Sequence, residues 1–368
     1  MKKHSLLLIF CLFVLTNLFS QDSIPSKKDS LIEKIQIGAY LDAYYGFNST
    51  QNSSHEIPYF VSMNRDNEFS INLAFIDFKY NSDKIRARFA PGFGSYMNSN
   101  YANEKNTFKN IVESSVGVKI HPKKEIWLDM GILGSPFTNE TAISKDHIMY
   151  SRSLSAEYVP YYLCGIKLSL PLTSKLTSYF YLINGWQQIF DWNKSKSFGS
   201  QLEYKPDSKN LFNWDTYIGN ERSIYTPNYK NRYFTDVYWT HNLNGKWSFS
   251  SCAYLGLQEI DSTKTENNVW FQANILARFR FSKKSSLSTR IEYFSDAQGI
   301  QMNSINPSYS GFSTLGFAIG YNLQISDKML YRMEARSFFS EKEYFIEKNN
   351  FVNYSYWFLN SFVFYLNN

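Results

Sequence analysis

From residue 34 onward the chain alternates apolar and polar positions in sixteen segments. Each is roughly 10–15 residues long, the length a tilted strand needs to cross a bilayer. They run over about 34–46, 68–81, 84–96, 107–120, 125–134, 161–172, 175–186, 196–206, 210–221, 233–243, 246–258, 268–282, 285–297, 311–323, 328–340 and 353–366. Alternation puts successive side chains on opposite faces of a strand. In the first segment Ile35, Ile37, Ala39, Leu41, Ala43 and Tyr45 share one face, and Gln36, Tyr40, Asp42 and Tyr44 the other. In the third, Ile85, Ala87, Phe89 and Phe93 alternate with Arg86 and Arg88. The twelfth sets Phe271, Ala273, Ile275 and Ala277 against Gln272, Asn274, Arg278 and Arg280. In the fifteenth, Met329, Tyr331, Met333 and Ala335 alternate with Arg332, Glu334 and Arg336.

Alternation alone fits a soluble sandwich as well as a membrane barrel. The connections decide between them, because they alternate short and long. The short ones are tight polar turns, such as Asn81-Ser-Asp83, His121-Pro-Lys-Lys124, Asn244-Gly245 and Ser282-Lys-Lys284. The long ones extend to roughly twenty-five residues, far above ordinary connections. An even strand count with one short-turn side and one long-loop side predicts an all-β fold. It is a single transmembrane antiparallel β-barrel of about sixteen strands, with short periplasmic turns and long extracellular loops. Both termini then lie in the periplasm. The last segment, Tyr356 to Leu366, is rich in aromatics and must pair with the first to leave no open edge in lipid. It is similar to the terminal strands that outer-membrane assembly machinery recognises. Sixteen strands enclose a lumen wide enough for an aqueous channel.

Composition agrees. The mean hydropathy is −0.37, low for a membrane protein, yet aromatics make up 18% of the residues. A barrel reconciles the two: half of each strand meets lipid and half meets water, while Tyr and Trp gather at the bilayer interfaces. No segment after residue 20 has the apolar length of a transmembrane helix. Residues 1–20 read as a signal peptide, with Lys2 and Lys3 before the apolar run Leu6 to Leu15, and cleavage after Ser20. Its removal leaves a net charge of +4 from the initial +6, too mild and diffuse to imply nucleic acid. Residues 21–33 are a polar periplasmic lead-in, and 34–368 form the barrel. Cys164 and Cys252, far apart within strand patterns, read as small buried residues rather than a disulfide.

A charge facing lipid at mid-membrane costs roughly 2–4 kcal/mol, so the strand charges belong in the lumen. The pore-lining set is Arg86, Arg88, Asp129, Arg278, Arg280, Arg290, Glu292, Arg332, Glu334 and Arg336. Other lumen charges include Asp42, Asp77, Glu113, Lys119, Lys167 and Glu203. They either tune solute passage or brace the wall, for instance by pairing Arg290 with Glu292 or Glu334. The connection 135–160 is the longest and carries Glu140, Asp146, Arg152 and Glu157. Folded inward, it acts as a constriction loop whose acids face an arginine-rich wall across a transverse field. Folded outward, it caps the mouth.

Catalysis finds little support. There is no Gly-x-Ser-x-Gly elbow, His-Glu-x-x-His or Cys-x-x-Cys motif, no P-loop and no dinucleotide fingerprint. His147, beside Asp146, reads as a solvated loop histidine. No enzyme, metal or cofactor is expected.

The stretch from Leu128 to Pro206 carries Asp129-Met-Gly-Ile-Leu-Gly-Ser-Pro-Phe-Thr-Asn-Glu140, Tyr150-Ser-Arg-Ser153 and Pro160-Tyr-Tyr-Leu-Cys-Gly165. Asn184-Gly-Trp186 and Lys196-Ser-Phe-Gly199 follow. These resemble the OmpL-like β-barrel porin family of bacterial outer membranes. Thr138 stands where that family's pattern favours Gly, and the specific part spans about a fifth of the chain. The resemblance implies a general outer-membrane channel and gives no substrate. The residues themselves suggest an interface role for Trp186. Together these readings anticipate passive diffusion of small hydrophilic solutes with mild anion preference, with membrane lipid as surroundings and a homo-oligomer compatible. The alternatives are a loop-plugged barrel acting in ligand binding or adhesion, and a barrel hydrolase.

Overall fold

The computed structural model describes residues 34–50, 54–261 and 268–367. The segments 1–20 and 21–33, read as signal and lead-in, lie outside the described residues. β1 (Ile35–Asn48), β2 (Glu68–Asn81), β3 (Ile85–Phe93) and β4 (Ile111–Lys119) are followed by β5 (Trp127–Gly134), β6 (Tyr162–Pro171), β7 (Leu176–Ile183) and β8 (Ser197–Tyr204). Then come β9 (Asn210–Asn220), β10 (Tyr229–His241), β11 (Trp247–Ile260), β12 (Asn268–Arg280), β13 (Ser285–Asp296), β14 (Phe312–Ser326) and β15 (Met329–Phe339). A small hairpin, β16 (Phe345–Glu347) and β17 (Asn350–Val352), precedes β18 (Tyr354–Leu366). All but the hairpin close into one barrel, so sixteen strands form the wall. β1 and β18 seal it antiparallel, from Ala39 opposite Leu366 to Asn48 opposite Trp357. Closure satisfies every edge, which a sheet in lipid requires.

β13 shows how the sequence builds the wall. Leu287, Ile291 and Tyr293 point outward and are 40–55% exposed to what is lipid in the membrane. Ser286, Ser288, Arg290, Glu292, Phe294 and Asp296 point inward and are buried. Read from the short turn upward, the inward face goes from serine to charge to aromatic. Outward aromatics mark the rim near the short turns: Trp247 and Phe279 lie 4.6 Å apart, with the Lys246 ammonium 5.4 Å from the Phe279 ring.

Several segment ends fall short of the expected ranges, among them those of β3 and β4. β3 stops at Phe93 because Gly94 has φ 142° and starts a helix over Ser95–Asn100. β4 starts late because Asn106–Asn110 forms a 3-10 turn. On β5 and β6, Gly131 and Gly165 stand opposite each other with φ 138° and 158°. A Cβ on Gly131 would lie 2.2 Å from the Ser114 carbonyl oxygen, so only glycine permits this approach.

Candidate functional site: the lumen and its inward loop

The loop 135–160 leaves β5 and folds inside the barrel, crossing to the opposite wall. At its start the Thr138 N–H donates to Asp236 on β10 at 2.7 Å. The Asn139 amide then donates to Ser250 on β11 (2.8 Å) and Asn274 on β12 (3.1 Å). Inward residues of the wall give it room. Met149 packs with Ile148, Leu276 and Ala318, and the Met149 methyl lies only 3.2 Å from where a Cβ on Gly320 would stand.

Tyr150-Ser-Arg-Ser153 is the clasp. The Tyr150 hydroxyl donates to Asp42 on β1 at 2.7 Å. Asp42 also accepts from Asn72 at 3.1 Å and from Ser144 at 3.2 Å. The Ser151 N–H donates to Glu334 on β15 at 2.9 Å. Arg152 is fully buried, donates to the Thr141 carbonyl at 3.1 Å and contacts the Met63 sulfur at 3.3 Å. The Ser153 N–H donates to Glu140 at 2.7 Å, and the next amide, of Leu154, donates to Glu292 on β13 at 2.6 Å.

The wall charges beneath this clasp are paired with one another. Arg290 donates to Glu292 at 2.9 Å and reaches Glu334 at 3.4 Å, and Arg336 donates to Glu292 at 2.8 Å. All four side chains are buried to 1% exposure or less. Arg332 donates to Asn322 at 2.6 Å and to the loop carbonyls of Ile148 (3.0 Å) and His147 (3.2 Å). Arg290 thus pairs with both carboxylates named as bracing partners. In place of the expected transverse field, Arg290 and Arg336 are neutralised by Glu292 and Glu334, because ions so deeply buried persist when paired and hydrogen-bonded, while Arg332 is held by carbonyls alone and keeps its charge.

The loop acids go elsewhere. Glu140 holds the loop's own Ser153, and Glu157 accepts the N–H groups of Val61 (2.7 Å) and Ser62 (3.2 Å). Burial pushes both carboxyls up, opposed by Arg290 for Glu140 and by the backbone donor Val61 for Glu157. Asp146 pairs with Lys145 at 2.8 Å and remains half exposed. His147 is a correction: it is buried, not solvated. Its Nε2 accepts the Thr141 N–H at 2.9 Å. Burial, and then the nearby Arg152, hold its pKa well below the ordinary histidine range.

Nearer the short turns the wall of β3–β6 is more open. Arg86 forms a bidentate pair with Asp129, its Nε at 2.6 Å from Oδ1, and Lys167 stands 3.7 Å from the same carboxylate. Arg88 bridges Asp77 (2.8 Å) and Glu113 (2.6 Å). The side chains of Arg86, Lys167, Glu113 and Arg88 keep 22–34% exposure, unlike the sealed network across the lumen. Arg278 and Arg280 lie on β12 near its turn and donate to loop carbonyls, including Leu243.

The half of the lumen nearest the long loops is lined differently. Inward aromatics of the wall receive aromatics from the loops. Tyr59 stacks on Phe312 at 4.1 Å and Tyr158 on Phe294 at 4.3 Å, while Phe60 lies 5.4 Å from Phe338 and 4.8 Å from Trp357. Trp186 also turns inward, 5.1 Å from Phe234 and 5.1 Å from the Arg232 guanidinium, which corrects its expected interface position. Several acids escaped the sequence reading. Asp215 and Asp236 face each other across β9 and β10. Glu104 accepts the Ile189 and Phe190 amides, and Asp296 those of Ile300, Gln301 and Met302. Asp215 was detectable, since it alternates with the outward Trp214. The partners of Glu104 and Asp296 are loop amides that no period marks. Cys164 and Cys252 are free thiols, Cys252 buried and Cys164 partly so.

A closed antiparallel barrel of sixteen strands, apolar outside, charged inside and narrowed by an inward loop, is the architecture of an outer-membrane porin. The chain belongs to the family described as "Putative beta-barrel porin-2, OmpL-like", which it matches over residues 34–366. No curated protein matches it. Among solved structures it is similar in fold to an anion-selective porin from Comamonas acidovorans, with TM-score 0.59 and 7% identity over 90% of this chain and 99% of that one. OmpF of Salmonella typhi in complex with daunomycin gives TM-score 0.60 and 9% identity, over 90% and 97% of the two chains. The outer membrane channel DcaP of Acinetobacter baumannii gives 0.57 and 9%, over 90% and 97%. The protein is an outer-membrane porin.

Proposed function

We propose that the chain lets small hydrophilic solutes diffuse passively through a water-filled passage beside the docked loop, with mild anion preference. The observation that carries this reading is the asymmetry of the lumen. Loop 135–160 seals the middle of the wall of β10–β15 and β1, whereas Arg86, Arg88, Glu113 and Lys167 on β3–β6 keep 22–34% side-chain exposure. In this reading Arg86, Arg88, Asp129, Arg278 and Arg280 line the passage. Arg290, Glu292, Arg332 and Glu334 hold the constriction loop through Ser144, His147, Ile148, Ser151 and Leu154, and Arg336 fixes Glu292. In this reading the barrel is a channel and not an enzyme. Residues 1–20 act as a cleaved signal, and 21–33 remain as a periplasmic lead-in. Self-association has support from the trimer form of OmpT from Vibrio cholerae, which shares the fold at TM-score 0.57 and 9% identity. The test is the reversal potential of purified channels in a potassium chloride gradient across a planar bilayer. A potential toward the chloride equilibrium value supports anion preference, and cation preference rejects it.

A second reading, a loop-plugged barrel that binds ligands at its outer face, has one observation in its favour. The interlocked aromatics of Tyr59, Phe60, Tyr158, Phe294, Phe312 and Trp357 fill the lumen at the long-loop end. Absence of any conductance from correctly folded protein supports the plug.

A further inference from the structure

Several lumen arginines are matched by a carboxylate: Arg86 by Asp129, Arg88 by Asp77, Arg290 and Arg336 by Glu292. The arginines of β12 near its short turn are not. Where β12–β15 meet their short turns, a cavity of about 400 Å³ opens toward the periplasmic mouth. Its lining includes Arg278, Arg280, Lys283, Lys284, Arg332 and Lys145, against the one carboxylate of Asp146. Asp146 is already taken by Lys145 at 2.8 Å.

Arg278 and Arg280 stand two residues apart on β12, so their side chains leave the same face. Neither pairs with a carboxylate among the described residues. Arg280 donates to the carbonyls of Asn244 and of Leu243, the latter at 3.2 Å. Arg278 donates to the Leu243 carbonyl and to the Ser248 hydroxyl at 3.3 Å. The Arg278 Nε is buried without a partner. Carbonyl oxygens satisfy hydrogen-bonding capacity but leave the positive charge uncompensated. Lys283 and Lys284 extend the same field to the rim, where charge steers incoming ions.

We propose that this cavity binds a small oxyanion bearing two or more negative charges, carried by phosphate or carboxylate groups. Guanidinium forks match such groups with paired hydrogen bonds, and the turn lysines add point charges around them. A monovalent halide brings a single charge and no pair of oxygens to match a guanidinium fork. The site deepens the proposed anion preference and rests on that reading for its role in transport, but occupancy itself does not require conduction.

The test is calorimetry on the folded, detergent-solubilised barrel at low salt, titrated separately with inorganic pyrophosphate and citrate. Saturable one-to-one binding of either is expected, and comparison of the two identifies phosphate or carboxylate as the preferred group. R278Q/R280Q should weaken it about tenfold or more, the loss typical of charge-assisted hydrogen bonds. K283A/K284A, in an exposed turn, should weaken it about threefold, while K123A/K124A, a like pair at another turn, should change nothing. If R278Q/R280Q does not fold, judged by heat-modifiable migration, the two lysine variants decide. Failure of both anions to saturate overturns the proposal, as does equal weakening by both lysine variants, which would mean general charge attraction. Anion-selective conductance without binding removes the site and leaves the channel. Binding without conductance removes the channel and leaves the site.

Discussion

Replacing Glu292 with alanine attacks the point where wall and loop are joined. One carboxylate serves Arg290 at 2.9 Å, Arg336 at 2.8 Å and the Leu154 N–H at 2.6 Å, with no exposure to solvent. Removing one partner from a buried ion pair costs roughly 3–5 kcal/mol, because the remaining charge stays buried and unanswered. The orphaned Leu154 amide adds roughly 1–3 kcal/mol if no water reaches it. Glu334, 3.4 Å from Arg290, recovers part of this, so the lower figure of about 3–5 kcal/mol is the working value. The barrel ladder does not depend on Glu292, so the loss falls on the docked loop. Its opening free energy should drop by that amount. Amide exchange at Ser151, Ser153 and Leu154 should accelerate by roughly two to three and a half decades, at about 1.4 kcal/mol per decade. Hydrogen exchange read by mass spectrometry on the detergent-folded protein measures it, with exchange in β7–β9 as the internal control. Unchanged exchange at those three amides would refute the clasp, and equal acceleration in β7–β9 would show a general loss of the fold instead.

Gly320→Leu should push Met149 off the β14 wall, since its first carbon alone reaches within 3.2 Å of the Met149 methyl. Overpacking of this kind costs roughly 1–3 kcal/mol, visible as faster proteolysis within 138–158, whereas Gly320→Ala should be tolerated because the methionine end yields. Gly131→Ala should prevent assembly of the heat-resistant barrel, because its Cβ would meet the Ser114 carbonyl at 2.2 Å in a backbone region at φ 138°. His147, neutral when docked, should show a ring titration by NMR that is displaced well below the ordinary histidine pKa of about 6.5. Since its folded pKa is depressed, the stability it contributes is full above about pH 6.5 and falls as acid charges the undocked form first, so His147→Gln should flatten the pH dependence of loop opening in that range.

The wall was legible because a bilayer imposes a strict rule on it. Most outward residues must be apolar and every strand must pair, so period two and the rhythm of the turns give sixteen strands and their facing. The charged half of the lumen followed by elimination, as with Arg290 and Glu292. The aromatic half did not. Phe294, Phe312 and Trp357 lie on the inward face, where a wet lumen would favour polar groups, and they are explained only by Tyr59, Phe60 and Tyr158 descending from loops far away in sequence. Alternation tells which face a residue occupies, not how deep it lies or what meets it there. The same limit hid the β16–β17 hairpin, too short for a periodic signal, and the burial of His147, which depends on where the loop docks. Tyr150-Ser-Arg-Ser153 stood out by resemblance; that each of its members holds a different partner is visible only in three dimensions.

The most direct measurement compares single-channel conductance of the intact protein with that of a variant lacking residues 139–157 in planar bilayers. A passage beside a docked loop predicts discrete conductance steps from the intact protein and several-fold larger steps from the deletion. Silence from the intact, heat-modifiable protein with conductance only after the deletion would contradict it, and make loop 135–160 a plug.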